Sequence, residues 1–276
     1  MPSVKTMKKP VVRQRASDDP DPFFATTLAR GLEILGAFRP GDDGLSNSVL
    51  ATRTGLSRPT ISRLTNTLSQ LGYLGRDERG LYLLGTHILR VAYPLLAQLR
   101  IRQVARPVMR EFAEQAKGTV SIGTVDGVDA LYLETTRLIS VPDYVPDIGF
   151  SLPLVRSAMG RALLAMQPAK HRRELVARIR RETPDAWKQF GKATEKSIEQ
   201  CAKRGFCASL GDFRPQIHAV AAPLVTLRNG SVLAINCGIE AYRLRPGQLE
   251  DEFGPRLVAV AASIRASDTT TAREAA

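Results

Sequence analysis

Residues 51–68, with the sequence ATRTGLSRPTISRLTNTL, predict a helix, a turn at Gly55 and a second helix. Ser57 can cap the second helix by accepting a backbone N–H, and Pro59 falls in the first turn, where a missing N–H costs little. This pattern is typical of a helix-turn-helix. Residues 73–84 place a polar turn between two short apolar runs, and they predict a hairpin that would form a wing.

The same region suits a phosphate backbone, because residues 44–76 contain no Asp or Glu but carry four arginines among many Ser, Thr and Asn residues. Ile61, Leu64, Leu68 and Leu71 recur at spacings of three or four and predict the buried face of the second helix. The residues expected to face DNA are Ser57, Arg58, Thr60, Ser62, Arg63 and Asn66, with Arg79 on the wing. The alternative is a generic amphipathic helix pair whose charges are only solvated.

Composition limits the class of protein. The chain has 276 residues, a net charge of +12 and a pI of about 10.0, which predicts about two domains and an anionic partner. No run of about 18 apolar residues occurs, and residues 1–5 lack the apolar core of a signal peptide. We therefore expect a cytoplasmic protein with no membrane partner.

Cysteine and histidine patterns favour neither a metal nor a cofactor. The three cysteines form no CxxC pair, and the three histidines lack the spacing of metal ligands. The cysteines are interpreted as packing residues, and we expect no metal site and no cofactor. These cysteines and histidines are Cys201, Cys207, Cys237, His87, His171 and His218.

The pattern along the chain predicts an α+β protein. Residues 1–22 and 269–276 are expected to be disordered tails, the first of them basic. Residues 23–85 would form the DNA-binding domain, opened by a helix at 23–38 that buries Leu28, Leu32, Leu35 and Phe38. A linker helix is expected at 86–104. Antiparallel hairpins with flanking helices are then expected over 105–268.

No catalytic motif is convincing. The chain contains neither a phosphate-binding GxxxxGK[ST] loop nor a GxSxG nucleophile elbow. Glu134 with Asp126 or Asp129 could form a carboxylate pair, although hairpin rims often carry acids for solubility alone. The helix start at 157–160 could hold a carboxylate on its N–H groups, or it could be an ordinary capped helix. We expect no enzyme.

The chain resembles the IclR family of bacterial transcriptional regulators from about Phe23 to about Ala266. The resemblance covers both domains in order, and its segments together are more specific than any one of them. They are 28–35 (LARGLEIL), 54–64 (TGLSRPTISRL), 71–74 (LGYL), 104–107 (VARP), 153–154 (PL), 160–165 (GRALLA), 204–206 (RGF) and 219–224 (AVAAPL).

The resemblance implies a winged helix-turn-helix, a linker helix and a C-terminal GAF-like antiparallel-sheet domain that binds a small organic effector. It also implies a homodimer or a dimer of dimers. The family's pocket residues match Ala158, Met159, Ile217, Ala219, Asn236 and Gly238 here, with Ser209 as a looser match. The chain departs from the family by having Val155-Arg156 where His-Ala is frequent and Ala219 where Cys is frequent. Our hypothesis is that Arg156 or His218 contacts a carboxylated ligand, although either could be a surface residue.

Together these observations predict a sequence-specific transcriptional regulator that binds a double-stranded DNA operator and is controlled by a small organic acid. RNA polymerase is a candidate further partner. Two alternatives stay open: an enzyme with an unrecognised active site in the C-terminal domain, and an architectural DNA-binding dimer that has no ligand.

Overall fold

The computed structural model describes residues 22–137 and 146–268. Contacts between Cα atoms divide the chain into two compact units, 1–98 and 99–276. The predicted tail at 269–276 lies outside the described residues, as does the tail at 1–22 apart from its last residue.

The first unit contains the predicted helix-turn-helix and wing. Gly55 follows the first helix of the helix-turn-helix, Asn47–Thr54, with φ +74°, and its N–H donates to the Ala51 carbonyl at 2.8 Å. Glycine suits this turn because a side chain would disfavour the left-handed backbone. The two strands pair antiparallel, with Leu74 opposite Leu84. The elements are α1 (Thr26–Gly36), α2 (Asn47–Thr54), α3 (Arg58–Gln70), β1 (Leu74–Arg76), β2 (Tyr82–Leu84) and α4 (His87–Gln98).

The core of this unit differs from two predicted apolar stripes, because three of the leucines expected to be buried are exposed. The predicted stripe of the first helix is half right, because Leu35 and Phe38 pack against the core. Leu28 and Leu32 are 64% and 58% exposed, and Ile34 is fully buried instead. Leu71 is 54% exposed because α3 ends at Gln70 and the chain then leaves the helical path. Thr65 is buried on α3 instead. Its hydroxyl donates to the Ile61 carbonyl at 2.8 Å and lies 2.9 Å from the Tyr82 hydroxyl.

Ser57 occupies the N-cap position of α3, and Pro59 lies in its first turn as predicted. The predicted side-chain cap is wrong, because the Ser57 hydroxyl accepts no helix N–H and instead lies 2.9 Å from the Thr60 hydroxyl. The predicted linker helix at 86–104 is also interrupted: α4 ends at Gln98, and a separate helix begins at Ile101 in the second unit.

In the described part of the second unit, six strands form one sheet in the order β5-β4-β3-β8-β7-β6, with every neighbouring pair antiparallel. This confirms the predicted α+β class. The elements are α5 (Ile101–Ala116), β3 (Thr119–Asp126), β4 (Asp129–Thr136), β5 (Ser151–Pro153), α6 (Ala158–Met166), α7 (Ala169–Glu182), α8 (Pro184–Arg204), β6 (Cys207–Arg214), β7 (Ile217–Thr226), β8 (Val232–Glu240), a 3-10 turn at Ala241–Arg243, a π turn at Leu249–Phe253 and α9 (Gly254–Ser267).

Helices pack on both faces of this sheet. Large strand residues such as Ile122 and Ile235 meet α5 and α9. The face toward α6 and α8 carries smaller residues, including Ala221 and Ala234. Because side chains alternate across a strand, Asn236 projects to the same face as Ala234. Small side chains on this face leave a cavity between the sheet and α6.

Candidate DNA interface and ligand cavity

The outer face of α3 presents polar side chains to solvent. Arg58, Ser62, Arg63 and Asn66 are exposed, as is Ser57, while Thr60 is half-buried. Arg58 donates to the Ser48 hydroxyl at 3.4 Å, and Ser62 accepts from Asn47 at 3.1 Å. Among the described residues, no hydrogen bond or ion pair engages the side chain of Arg63 or of Asn66, although the Arg63 backbone carbonyl accepts from the Thr67 hydroxyl at 3.2 Å. These two side chains can therefore bind an external group without breaking an internal bond.

The two arginines of the acid-free segment that lie outside α3 also have partners within the domain. Arg53 binds both carboxylate oxygens of Asp42, at 2.6 and 2.9 Å, and also donates to the Ala37 carbonyl at 3.0 Å. The hydrogen bond from Arg53 lowers the pKa of Asp42 below its ordinary value. Arg76 lies 4.6 Å from the centre of the Tyr82 ring. Arg53 and Arg76 thus stabilise the domain, and the free donors are on α3.

The wing arginine is exposed but bonded to its own turn. Arg79 Nε donates to Asp77 at 2.9 Å, and one of its terminal nitrogens donates to the Asp43 carbonyl at 2.9 Å. These bonds use two of the five N–H donors of the guanidinium, so the remaining donors can bind a phosphate while the side chain stays on its turn.

In the second unit a cavity lies between the sheet and the start of α6. Its described lining comes from all six strands of the sheet, from the start of α6 and from nearby turns. The lining residues are Lys117, Gly118, Thr119, Tyr132, Pro146, Phe150, Leu152, Ser157, Ala158, Ser209, Phe213, Ile217, Ala219, Asn236, Gly238 and Glu240.

Six of the eight residues expected to contact the effector line this cavity, namely Ala158, Ser209, Ile217, Ala219, Asn236 and Gly238. The other two, Met159 and Arg156, are not among the lining residues. Met159 is fully buried, and a Cβ on Gly123 would lie 3.1 Å from its terminal methyl, so Met159 packs against the sheet.

Neither hypothesised cation faces the cavity. Arg156 donates to the carbonyls of Asp212 and Phe213, at 2.9 and 3.2 Å, and lies 5.2 Å from the centre of the Phe190 ring. His218 lies between the lining residues Ile217 and Ala219 on β7 and so projects from the opposite face of the sheet.

Three aromatic side chains that the sequence did not predict form one wall of the cavity, which we call the aromatic wall. The ring centres of Tyr132 and Phe150 are 5.7 Å apart, and those of Phe150 and Phe213 are 6.4 Å apart. The alternation of β4 could have placed Tyr132 on the same face as Ala130. Phe150 and Phe213 carry no comparable signal, because tertiary contacts bring them together.

A hydrogen-bonded group forms the polar part of the cavity. The Asn236 amide donates to the Tyr132 hydroxyl at 3.0 Å, and both residues line the cavity. Burial raises the pKa of Tyr132 to about 12, so its phenol is neutral at physiological pH. Asn236 Oδ1 is buried and has no hydrogen-bond partner among the described residues. A buried acceptor without a partner is costly, so a ligand that supplies a donor would relieve it.

The start of α6 adds partial positive charge. The Ser157 hydroxyl accepts from the Gly160 N–H at 3.0 Å and donates to the Pro153 carbonyl at 2.8 Å, so the helix is capped. The cap satisfies one of the first N–H groups, and those of Ala158 and Met159 have no partner within the helix. The helix dipole at this end favours a nearby anion.

Across the described residues, no helix has both the length and the apolar character needed to cross a bilayer. In residues 22–137 and 146–268, no group of three or more His, Cys, Asp or Glu side chains is arranged to hold a metal ion. The three cysteines are buried free thiols.

Two family models match the chain in the order of the two units. The IclR helix-turn-helix domain matches residues 27–78, and the bacterial transcriptional regulator IclR C-terminal domain matches residues 94–266. The chain belongs to the IclR family. The resemblance seen in the sequence is thereby confirmed.

Relatives of this IclR-family protein are named as transcriptional regulators. The HTH-type transcriptional regulator TsaQ1/TsaQ2 of Comamonas testosteroni is 29% identical, with 87% of each chain covered. The p-hydroxybenzoate hydroxylase transcriptional activator of Acinetobacter baylyi is 27% identical over 88% of this chain and 91% of the relative. These names confirm the predicted DNA-binding regulator and the prediction that the chain is not an enzyme.

Solved structures share the fold. An IclR family transcriptional regulator from Brucella abortus is 36% identical, with a TM-score of 0.77 over 92% of this chain and 96% of that one. An IclR homolog from Microbacterium hydrocarbonoxydans, complexed with 4-hydroxybenzoate, is 20% identical, with a TM-score of 0.70 over 88% of this chain and 99% of that one.

Proposed function

We propose that this IclR-family regulator recognises its operator through α3 and changes its DNA binding when an aromatic carboxylic acid occupies the cavity. The exposed donors of α3 support the first part, since Arg and Asn side chains can bond base edges in the major groove. Ser57, Arg58, Thr60 and Ser62 would contact the backbone or neighbouring bases, and Arg79 would bind phosphate from the wing.

The DNA part is tested by Arg63→Ala, because Arg63 has no internal role that the substitution would remove. Loss of a guanine contact costs about 1–3 kcal/mol and relaxes specificity at one position. Fluorescence anisotropy on DNA upstream of the protein's own gene, with scrambled competitor, measures both effects. Arg178→Ala, an exposed arginine on α7, is the matched control. Wild-type affinity and sequence preference in Arg63→Ala would remove Arg63 from the interface.

We further propose that the protein acts as a homodimer or a dimer of dimers. Large apolar side chains are exposed on α1 and α4, among them Leu32, Leu89 and Leu95. Such surfaces on soluble proteins mark interaction sites, and a twofold dimer would bind a near-palindromic operator with half-sites about 34–36 Å apart or a multiple. Light scattering of Leu89→Glu should report smaller particles, whereas Leu210→Glu, exposed in the second unit, should leave the mass unchanged.

The relative named as an activator supports RNA polymerase as a further partner.

The observation that carries the effector proposal is the cavity itself, with three aromatic rings and an unpaired buried amide oxygen. Aromatic walls favour a planar ring, since offset and edge-to-face ring pairs are attractive. The α6 start favours negative charge. A relative named as the p-hydroxybenzoate hydroxylase transcriptional activator and a structural neighbour complexed with 4-hydroxybenzoate support an aromatic acid.

Isothermal calorimetry with 4-hydroxybenzoate and benzoate tests this proposal. We expect saturable binding to the wild type, and loss of binding in Ala219→Trp, whose indole would fill the cavity beside Asn236. An unchanged circular dichroism spectrum and an unchanged urea midpoint in Ala219→Trp would show that the second unit is folded. Absence of any saturable binding by the wild type would contradict the aromatic acid and favour the architectural dimer.

A further inference from the structure

Lys117 has an unusual backbone conformation at the edge of the cavity. It follows the last residue of α5 with φ +48° and ψ +43°, and among the described residues it is the only non-glycine with a positive φ. Glycine or asparagine usually occupies this position after a helix, because a side chain is disfavoured there. A strained position that persists invites a functional explanation.

The neighbouring residue explains why the chain turns so sharply. A Cβ on Gly118 would lie 2.6 Å from the Gly238 carbonyl oxygen, so the backbone of 118 runs directly against β8. This close approach holds the end of α5 at the cavity. It does not require a lysine at 117, because glycine or asparagine would adopt the same backbone more easily.

Charge distinguishes Lys117 from the rest of the lining. Among the described lining residues it is the only cation, and Glu240 is the only acid. Glu240 accepts from the Tyr242 hydroxyl at 2.7 Å and from Arg243 at 2.6 Å, and these bonds hold its pKa below the ordinary value. Arg243 therefore balances the Glu240 charge. No ion pair between described residues engages Lys117, which is exposed.

We infer that the Lys117 ammonium pairs with the carboxylate of the effector and selects acids over neutral ligands of the same shape. This inference rests on the proposed effector function. Arg156 is bonded to backbone carbonyls and His218 projects from the opposite face, so neither competes for this role. The aromatic wall would hold the ring, and Lys117 would supply the full positive charge that the α6 dipole only supplements.

Lys117→Gly provides the decisive variant, because it removes the ammonium and relieves the backbone at once. It should fold at least as stably as the wild type, so weaker binding could not be ascribed to unfolding. We expect its affinity for 4-hydroxybenzoate to fall about tenfold, as for loss of one charge-assisted bond. Its affinity for the neutral 4-hydroxybenzamide should be unchanged. Lys117→Arg should keep the preference for the acid.

Lys196→Ala is the matched control, because it removes an exposed positive charge on α8 outside the lining. Both ligands should bind this control as they bind the wild type. Acid binding by Lys117→Gly at wild-type strength would overturn the inference, and an equal loss for acid and amide would do so by indicating a change of shape. If the wild type binds neither ligand, the effector proposal itself fails. If the wild type binds both ligands and Lys117→Gly binds the acid equally well, only the Lys117 inference fails.

Discussion

Replacing Arg161 should weaken the second unit more than replacing any exposed arginine. Arg161 is 3% exposed and extends from α6 toward β6. Its guanidinium donates to the Val155 carbonyl at 3.2 and 3.1 Å, to the Ala208 carbonyl at 2.9 Å and to the Asp212 carboxylate at 2.5 Å. The side chain thus holds the helix that begins at the cavity to the strand that carries Ser209 and Phe213.

In Arg161→Met, the apolar side chain would remove the Arg161 donors from the Ala208 carbonyl and the Asp212 carboxylate, and would leave the Val155 carbonyl with the Thr194 hydroxyl at 2.9 Å as its side-chain donor. Breaking a buried ion pair from one side costs roughly 3–5 kcal/mol. Arg161→Lys keeps the charge, but a single ammonium cannot bond all three partners, so we expect a loss of about 1–3 kcal/mol.

Urea unfolding followed by the fluorescence of Trp187 measures both losses. The chain has one tryptophan, and it lies on α8 in the same unit as Arg161. Arg178→Met is the control, because Arg178 forms an exposed pair with Glu182 at 2.8 Å and such pairs contribute less than about 1 kcal/mol. A loss in Arg161→Met no larger than in this control would refute the reasoning.

Three further outcomes are expected. Gly160→Ala would place a Cβ 2.2 Å from Leu154 Cα, so the free energy of unfolding should fall by about 3 kcal/mol in the same urea assay. The raised pKa of Tyr132, about 12 against 10.0, means that stability is lost as pH rises from 10 towards 12, and Tyr132→Phe should lose less over that range in thermal melts. The lowered pKa of Asp42 stabilises the fold above its ordinary value of 3.8, so the difference in melting temperature between wild type and Asp42→Asn should shrink as pH falls below 3.8.

Short sequence motifs were sufficient to predict the helix ends and turns that glycine and proline determine. Gly55 and Pro59 set the limits of α2 and α3, and Asp126-Gly127 turns β3 into β4 with φ +63° at the glycine. The apolar stripe of α1 was less secure, because several leucines compete for one buried face and only packing against α3 selects Ile34. Helix α7 gives a poor local signal, because its sequence is dominated by charged residues.

The amino-acid sequence by itself determined the helix-turn-helix, the wing and the polar outer face of α3, because each depends on spacing within a few turns of chain. It also determined the family, because matching segments follow one another in order along both units. Only the tertiary structure decided which side chains line the cavity. Tyr132 and Asn236 are hydrogen-bonded although they are 104 residues apart in the sequence. Arg161 and Asp212 form an ion pair although they are 51 residues apart. Strand order and helix packing set those distances, and for the same reason they turned Arg156 and His218 away from the cavity and placed Lys117 at its edge.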